Sequence, residues 1–153
     1  MPTLDEVYRK FGEVAEAAQL LETQLGNLLF KNGIVEADLI SEPNHELASE
    51  IIKKINRQTL GQLINNVRNS TETVDQVELI LTKALDERNR LSHSFYRLHN
   101  FRRNTEEGRA VMLKDLDSIH KNILIAYKTA TLLSGIDIDK IVLENLPKEH
   151  LHI

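Results

Sequence analysis

Apolar residues recur along this chain at alternating steps of three and four positions, the spacing of one face of an α-helix. The first series runs from Leu4 to Leu28. Thr3 with Glu6 forms a capping box before it, and Asn32-Gly33 after it is typical of a helix end. A long amphipathic N-terminal helix is therefore expected.

A second helical stretch is predicted from Leu47 to Val67, after a connection through Glu42-Pro43-Asn44 and with a break near Gln58. Asn69-Ser70-Thr71 is typical of a turn. Short polar connections of this kind usually join helices that lie side by side.

The third series contains Val74, Val77, Leu81, Ala84, Leu91, Phe95 and Leu98. Thr73 with Gln76 can cap its start, and the helix is expected to end near Tyr96 or Leu98. One position of the series, Arg88, is not apolar. A guanidinium on a core-facing stripe is costly unless it has a partner or faces a wet cleft, so Arg88 is singled out as a candidate functional residue.

The last clear series runs from Met112 to Leu133, with Asn104 and Glu107 as a predicted capping box and Ser134-Gly135 as its end. A short fifth helix before Pro147 is expected in the tail. No strand pattern of period two and no repeat is present. The prediction is an all-α, up-and-down bundle of four or five helices, with one domain over residues 1–147 and a flexible tail over 148–153.

Composition and charge narrow the function classes. The 153 residues include no Cys, which excludes disulfide and thiolate chemistry. No signal peptide or membrane span is apparent, so a cytoplasmic protein without membrane contact is expected. The net charge is -4, yet the segment from Lys83 to Lys114 holds eight basic and four acidic residues. This local excess favours a polyanionic partner, although it also fits an ordinary solvated face.

Several kinds of site are excluded or disfavoured by their missing residues. There is no phosphate-binding loop, and zinc sites that need Cys are absent. A di-iron bundle needs paired Glu-x-x-His motifs, but Glu42-x-x-His45 falls in a predicted loop and Asp117-x-x-His120 has the wrong acid. His93 and His99 alone are too few ligands for a metal. No metal and no cofactor is therefore predicted.

Arg88, Asn89 and His93 remain as candidate chemistry. Arg88 is a permanent cation suited to a phosphate or a developing oxyanion. His93 can exchange protons near neutral pH, and Asn89, one helical turn before it, can orient the imidazole or a phosphate. These groups suffice for RNA cleavage without metal, in which a base activates the ribose 2′-OH for attack on the adjacent phosphorus.

The stretch Arg88-Asn89-Arg90-Leu91-Ser92-His93 resembles the signature of the HEPN superfamily (higher eukaryotes and prokaryotes nucleotide-binding), which is Arg, four to six residues, then His. The resemblance implies a HEPN-like bundle that forms a homodimer, with two motifs facing one cleft. It implies a metal-independent endoribonuclease of toxin–antitoxin, abortive-infection or other defence systems, with RNA as substrate and an antitoxin as a further partner. Arg88, Asn89 and His93 then carry over as the catalytic set.

Residues around this motif receive weaker assignments. Arg90, Arg97, Arg102 and Arg103 are expected to guide RNA towards Arg88, and Ser92 and Tyr96 lie near the site. Family toxins that are inhibited by a nucleotidyltransferase carry a Tyr two positions after the His. Phe95 stands there in this chain, and Tyr96 is one position late, which argues against regulation by tyrosine modification.

Two alternatives stay open. In the first, Arg88 is a structural residue paired with a carboxylate from another helix, and His93 is a polar residue at a helix end. In the second, the bundle is a non-catalytic module that binds a nucleotide or a protein through the same surface.

Overall fold

The computed structural model describes residues 1–70 and 73–135, and all regular structure in these two ranges is helical. None of the described helices is long and apolar enough to span a bilayer. The predicted C-terminal helix, the domain boundary at residue 147 and the tail lie outside the described residues. The elements in chain order are α1 (Leu4–Glu36), α2 (His45–Asn56), α3 (Leu60–Ser70), α4 (Asp75–His93), α5 (Phe95–His99), a 3-10 helix (Asn100–Asn104) and α6 (Glu106–Leu133).

The two longest helices, α1 and α6, run side by side in the same direction. Lys10 Nζ lies 3.0 Å from Nδ1 of His120, and further along both helices Gln24 Nε2 donates to Ser134 Oγ at 3.1 Å. The paired residue numbers rise together, which defines a parallel pair. An even number of reversals must therefore separate α1 from α6.

The helix that carries the candidate motif, α4, runs opposite to α1. The ring of Phe11 packs against Phe95 just beyond the end of α4, with centroids 5.7 Å apart. Farther along α1, Glu22 meets Arg88, which comes earlier in α4. The last two turns of α4 consequently lie against the part of α1 that ends near Glu22.

The close packing of α2 on α1 depends on two glycines within α1. A Cβ added at Gly26 would lie 3.2 Å from Cγ2 of Ile55, and one at Gly33 would lie 3.1 Å from Cγ2 of Ile51. The predicted helix end at Asn32-Gly33 is therefore wrong. Gly33 lies inside α1, where its missing side chain admits Ile51, and the helix continues for almost one more turn.

The α3 helix runs antiparallel to α4. Gly61 faces Leu85, and further along Arg68 donates a hydrogen bond to Thr82. The five longer helices thus alternate in direction from α1 to α6, with α5 and the 3-10 helix forming a corner between α4 and α6. The predicted all-α, up-and-down bundle is confirmed.

The core lies where the apolar series of α1 and α6 predict it. In α1, Val7, Val14, Ala18, Leu21, Leu25 and Leu28 are buried, and in α6 so are Met112, Leu116, Ile119, Ile123, Ala126 and Ala130. The series on α4 is buried only in its middle, at Leu81, Ala84 and Leu91, and continues into Phe95. Both of its predicted ends, Val74 and Leu98, are exposed.

The motif helix ends earlier than expected because of Ser94. Its backbone leaves the helical region, with φ −141° and ψ −4°, and its hydroxyl donates to the carbonyl oxygen of Arg90 at 3.2 Å. A serine that bonds this carbonyl competes with the helical ladder. The prediction of a helix to Tyr96 or Leu98 is wrong by a few residues, and His93 becomes the last residue of α4.

Of the three predicted helix N-caps, one is confirmed and two lie at other residues. The Thr3 capping box is present in full. At the start of α6 the cap is Thr105, whose side chain accepts from the amide of Gly108, and not the predicted Asn104, which belongs to the 3-10 helix. At the start of α4 the N-cap position is Val74, so Thr73 is not the cap.

Candidate functional site

Arg88 lies at the boundary between the core and solvent, on the face of α4 that meets α1. Its Nη2 is 3.1 Å from Oε1 of Glu22, and the two side chains are 28% and 30% exposed. The exception in the apolar series is thus explained by an ion pair at the edge of the core. This pairing matches the structural alternative for Arg88, and it leaves part of the guanidinium open to solvent.

Asn89 and His93 lie on the solvent-facing flank of α4. Both side chains are exposed, as is Ser92 between them. Nη1 of Arg88 donates to Oδ1 of Asn89 at 3.4 Å, a long hydrogen bond that links the first two residues of the candidate set. Within the described residues, the His93 ring has no hydrogen-bond or ion-pair partner.

One chain therefore links Arg88 to Asn89 but leaves His93 apart from Arg88. Five residues on a helix correspond to about 140° of rotation between Arg88 and His93. Arg88 points towards α1, whereas His93 sits at the exposed end of α4. A substrate that touches both groups would have to reach around the helix end, or a second chain would have to supply one of them.

Arg90 has an internal role that sequence reasoning missed. Its guanidinium forms a bidentate pair with Asp115 of α6, at 2.6 and 2.8 Å, and a further bond of 2.8 Å with Glu87. The hydrogen bond to Asp115 raises the pKa of Arg90 above its ordinary value, and this effect outweighs burial, which lowers the pKa. These contacts commit Arg90 to joining α4 and α6.

Asp115 is the centre of a network that extends into the corner after α4. His99, which is only 5% exposed, lies 2.7 Å from Asp115 Oδ2 through Nε2, and its Nδ1 is 3.1 Å from Nη1 of Arg102. Since Arg102 can only donate, Nδ1 accepts and Nε2 carries the proton that is donated to Asp115. Burial raises the pKa of Asp115, but hydrogen bonds from Arg90 and His99 outweigh it and hold the pKa below its usual value.

The other predicted residues lie on the corner itself. Arg97 is exposed and makes no hydrogen bond or ion pair within the described ranges, whereas Arg103 donates to the hydroxyl of Tyr8 at 2.8 Å. Tyr96 packs against Phe11 with ring centroids 5.1 Å apart and is 37% exposed. Burial raises the pKa of the Tyr96 hydroxyl.

No metal site accompanies these groups in residues 1–70 and 73–135, where no three His, Asp or Glu side chains are grouped to hold an ion. Glu22 lines a groove of about 500 Å³ between α1 and the α2–α3 segment, with polar neighbours such as Gln19 and Asn27. The ion pair of Arg88 therefore lies at the rim of an open groove.

Comparisons of the chain with protein-family models, curated proteins and solved structures gave no significant match. Function must therefore be inferred from the residues of this chain and their geometry.

Proposed function

We propose that this protein is a metal-independent endoribonuclease of the HEPN type, acting in the cytoplasm as a toxin or defence effector. The observation that carries the proposal is the end of α4, where Asn89 and His93 are exposed and Arg88, which donates to Asn89, is partly open to solvent. An exposed imidazole and a fixed cation are the groups that 2′-OH attack on a phosphodiester requires.

Each group has a defined task in the proposed reaction. His93 accepts the proton of the ribose 2′-OH, whose oxygen attacks the adjacent phosphorus. Arg88 stabilises the charge on the phosphorane, and Asn89 orients the phosphate or the imidazole. The bond from phosphorus to the 5′-oxygen breaks as that oxygen takes up a proton, leaving a 2′,3′-cyclic phosphate and a 5′-hydroxyl.

The experiment that tests the reaction is incubation of purified protein with mixed RNA in EDTA, followed by analysis of the product ends. Cleavage with cyclic phosphate and 5′-hydroxyl ends is expected, since no step uses a metal. Cleavage that occurs only after a metal is added would contradict the mechanism.

A homodimer is the proposed active form. Arg88 and His93 of one chain point to different sides of the α4 end, and leaving-group protonation needs a second proton-transfer group. Two motifs facing one cleft would supply both. Light scattering at micromolar concentration is expected to give twice the mass of 17.5 kDa. A strict monomer that still cleaves RNA would rule out the composite site.

A second candidate function is supported by the ion pair of Arg88. Because Glu22 already neutralises this guanidinium, the surface could serve a non-catalytic module that binds a nucleotide or a protein partner. Such a module would bind its ligand in EDTA and leave RNA intact, so the same incubation separates the two functions.

A further inference from the structure

The corner between α4 and α6 carries an aromatic side chain that the fold does not use. Phe101, in the 3-10 helix, is 75% exposed, and Leu98, three residues earlier in α5, is 59% exposed. The other phenylalanines of the described residues are buried or partly buried. We propose that Phe101 is a stacking platform for a base of single-stranded RNA, an inference that rests on the proposed ribonuclease function and names its substrate class.

The backbone around Phe101 is held in place from several sides. Asn100 adopts a left-handed conformation with φ 47°. The chain then packs so tightly on α6 that a Cβ added at Gly108 would lie 2.1 Å from the carbonyl oxygen of Arg102. Arg109 also donates to the carbonyl oxygen of Arg103 at 2.9 Å. An aromatic ring on such a support loses little conformational entropy when a ligand stacks on it.

Charge around Phe101 identifies the partner as a polyanion. The stretch from Arg97 to Arg103 contains three arginines and no acidic residue. Arg97 makes no ion pair within the described part of the chain. Arg102 and Arg103 contact His99 Nδ1 and Tyr8 OH, and no carboxylate in residues 1–70 and 73–135 forms an ion pair with either of them. A protein partner would need acidic residues to match, whereas every nucleotide brings a phosphate together with a flat base.

The exposed ring favours a single strand over a duplex. Bases in an A-form duplex are stacked on each other and cannot pack on a protruding side chain, whereas the bases of single strands and loops can. Aromatic platforms flanked by cations are the usual means of binding single-stranded nucleic acid with little sequence preference. The platform lies at the corner that follows the motif helix, which ends at His93.

The test uses the absence of tryptophan from this chain. A Phe101→Trp variant, combined with His93→Ala to prevent cleavage, places a single tryptophan at the platform, which can be excited selectively over the three tyrosines. Unstructured single-stranded RNA is expected to quench its emission, and a duplex of the same sequence is not. In the His93→Ala protein, the additional change Phe101→Ala should weaken binding of the single strand about 5- to 150-fold, which is the effect of losing one stacked base. Leu79→Ala is the control: it removes an exposed apolar side chain on α4, away from the corner, and should leave RNA binding unchanged.

Each other outcome has a defined meaning. If the protein with Phe101 intact binds no RNA, the proposed function fails and the platform fails with it. If it binds RNA and Phe101→Ala binds equally well, only the platform is overturned. Equal quenching by the duplex would overturn the single-strand assignment. A Phe101→Ala protein that changes from dimer to monomer in light scattering would show that a second copy covers this surface.

Discussion

Replacement of His93 by alanine is expected to reduce RNA cleavage by roughly 10²–10⁴-fold, the usual contribution of a positioned acid–base group. The side chain is exposed at the end of α4 and has no partner in the described residues, so its removal should leave the melting temperature unchanged. RNA binding should also persist, because a neutral imidazole adds little to phosphate affinity. Cleavage rates in EDTA, binding by fluorescence anisotropy and thermal melts measure the three quantities.

His45→Ala is the matched control, since His45 is also an exposed histidine at a helix terminus, as the first residue of α2. It should cleave RNA at the wild-type rate. A His93→Ala protein with full activity would remove this residue from the mechanism. One that no longer binds RNA would assign His93 to substrate binding.

The periodic apolar series determined most of the fold because burial follows spacing wherever a helix faces the core throughout its length. In α1 and α6 the predicted seams are buried from Val14 to Leu28 and from Met112 to Ala130. The spacing of apolar residues could not predict that α4 ends before Ser94, whose hydroxyl bonds a helical carbonyl. It also could not predict that Gly33 lies inside α1, where its missing side chain admits another helix. Both depend on contacts that a local pattern does not contain.

The sequence singled out candidate residues but could not predict the side chains that they contact. Arg88 stood out because a charge interrupted an apolar series, and the structure gives the reason in Glu22. Nothing in the sequence linked Arg90 or His99 to Asp115, because the partner lies on another helix. The Glu87–Arg90 pair, three residues apart on α4, was the one signal that could have been read locally.

Arg88 has two competing interpretations, and Arg88→Ala separates them. Its ion pair with Glu22 is partly exposed on both sides, so its loss should cost only about 0–1 kcal/mol of unfolding free energy. If Arg88 also stabilises the phosphorane, cleavage should fall by roughly 10²–10³-fold while the fold persists. Arg57→Ala, at an exposed arginine after α2, controls for the loss of a positive charge. Melting curves and cleavage assays in EDTA measure both effects.

Glu22→Gln completes the test because it breaks the same ion pair and leaves the guanidinium in place. Both variants should lose the same small amount of stability, because each removes the same ion pair. If Arg88 acts on RNA, Glu22→Gln should still cleave RNA, since it keeps the guanidinium, whereas Arg88→Ala should not. If the ion pair is purely structural, the two variants should have the same cleavage activity. An Arg88→Ala protein that is largely unfolded would return this residue to the core, and the proposed chemistry would then depend on His93 alone.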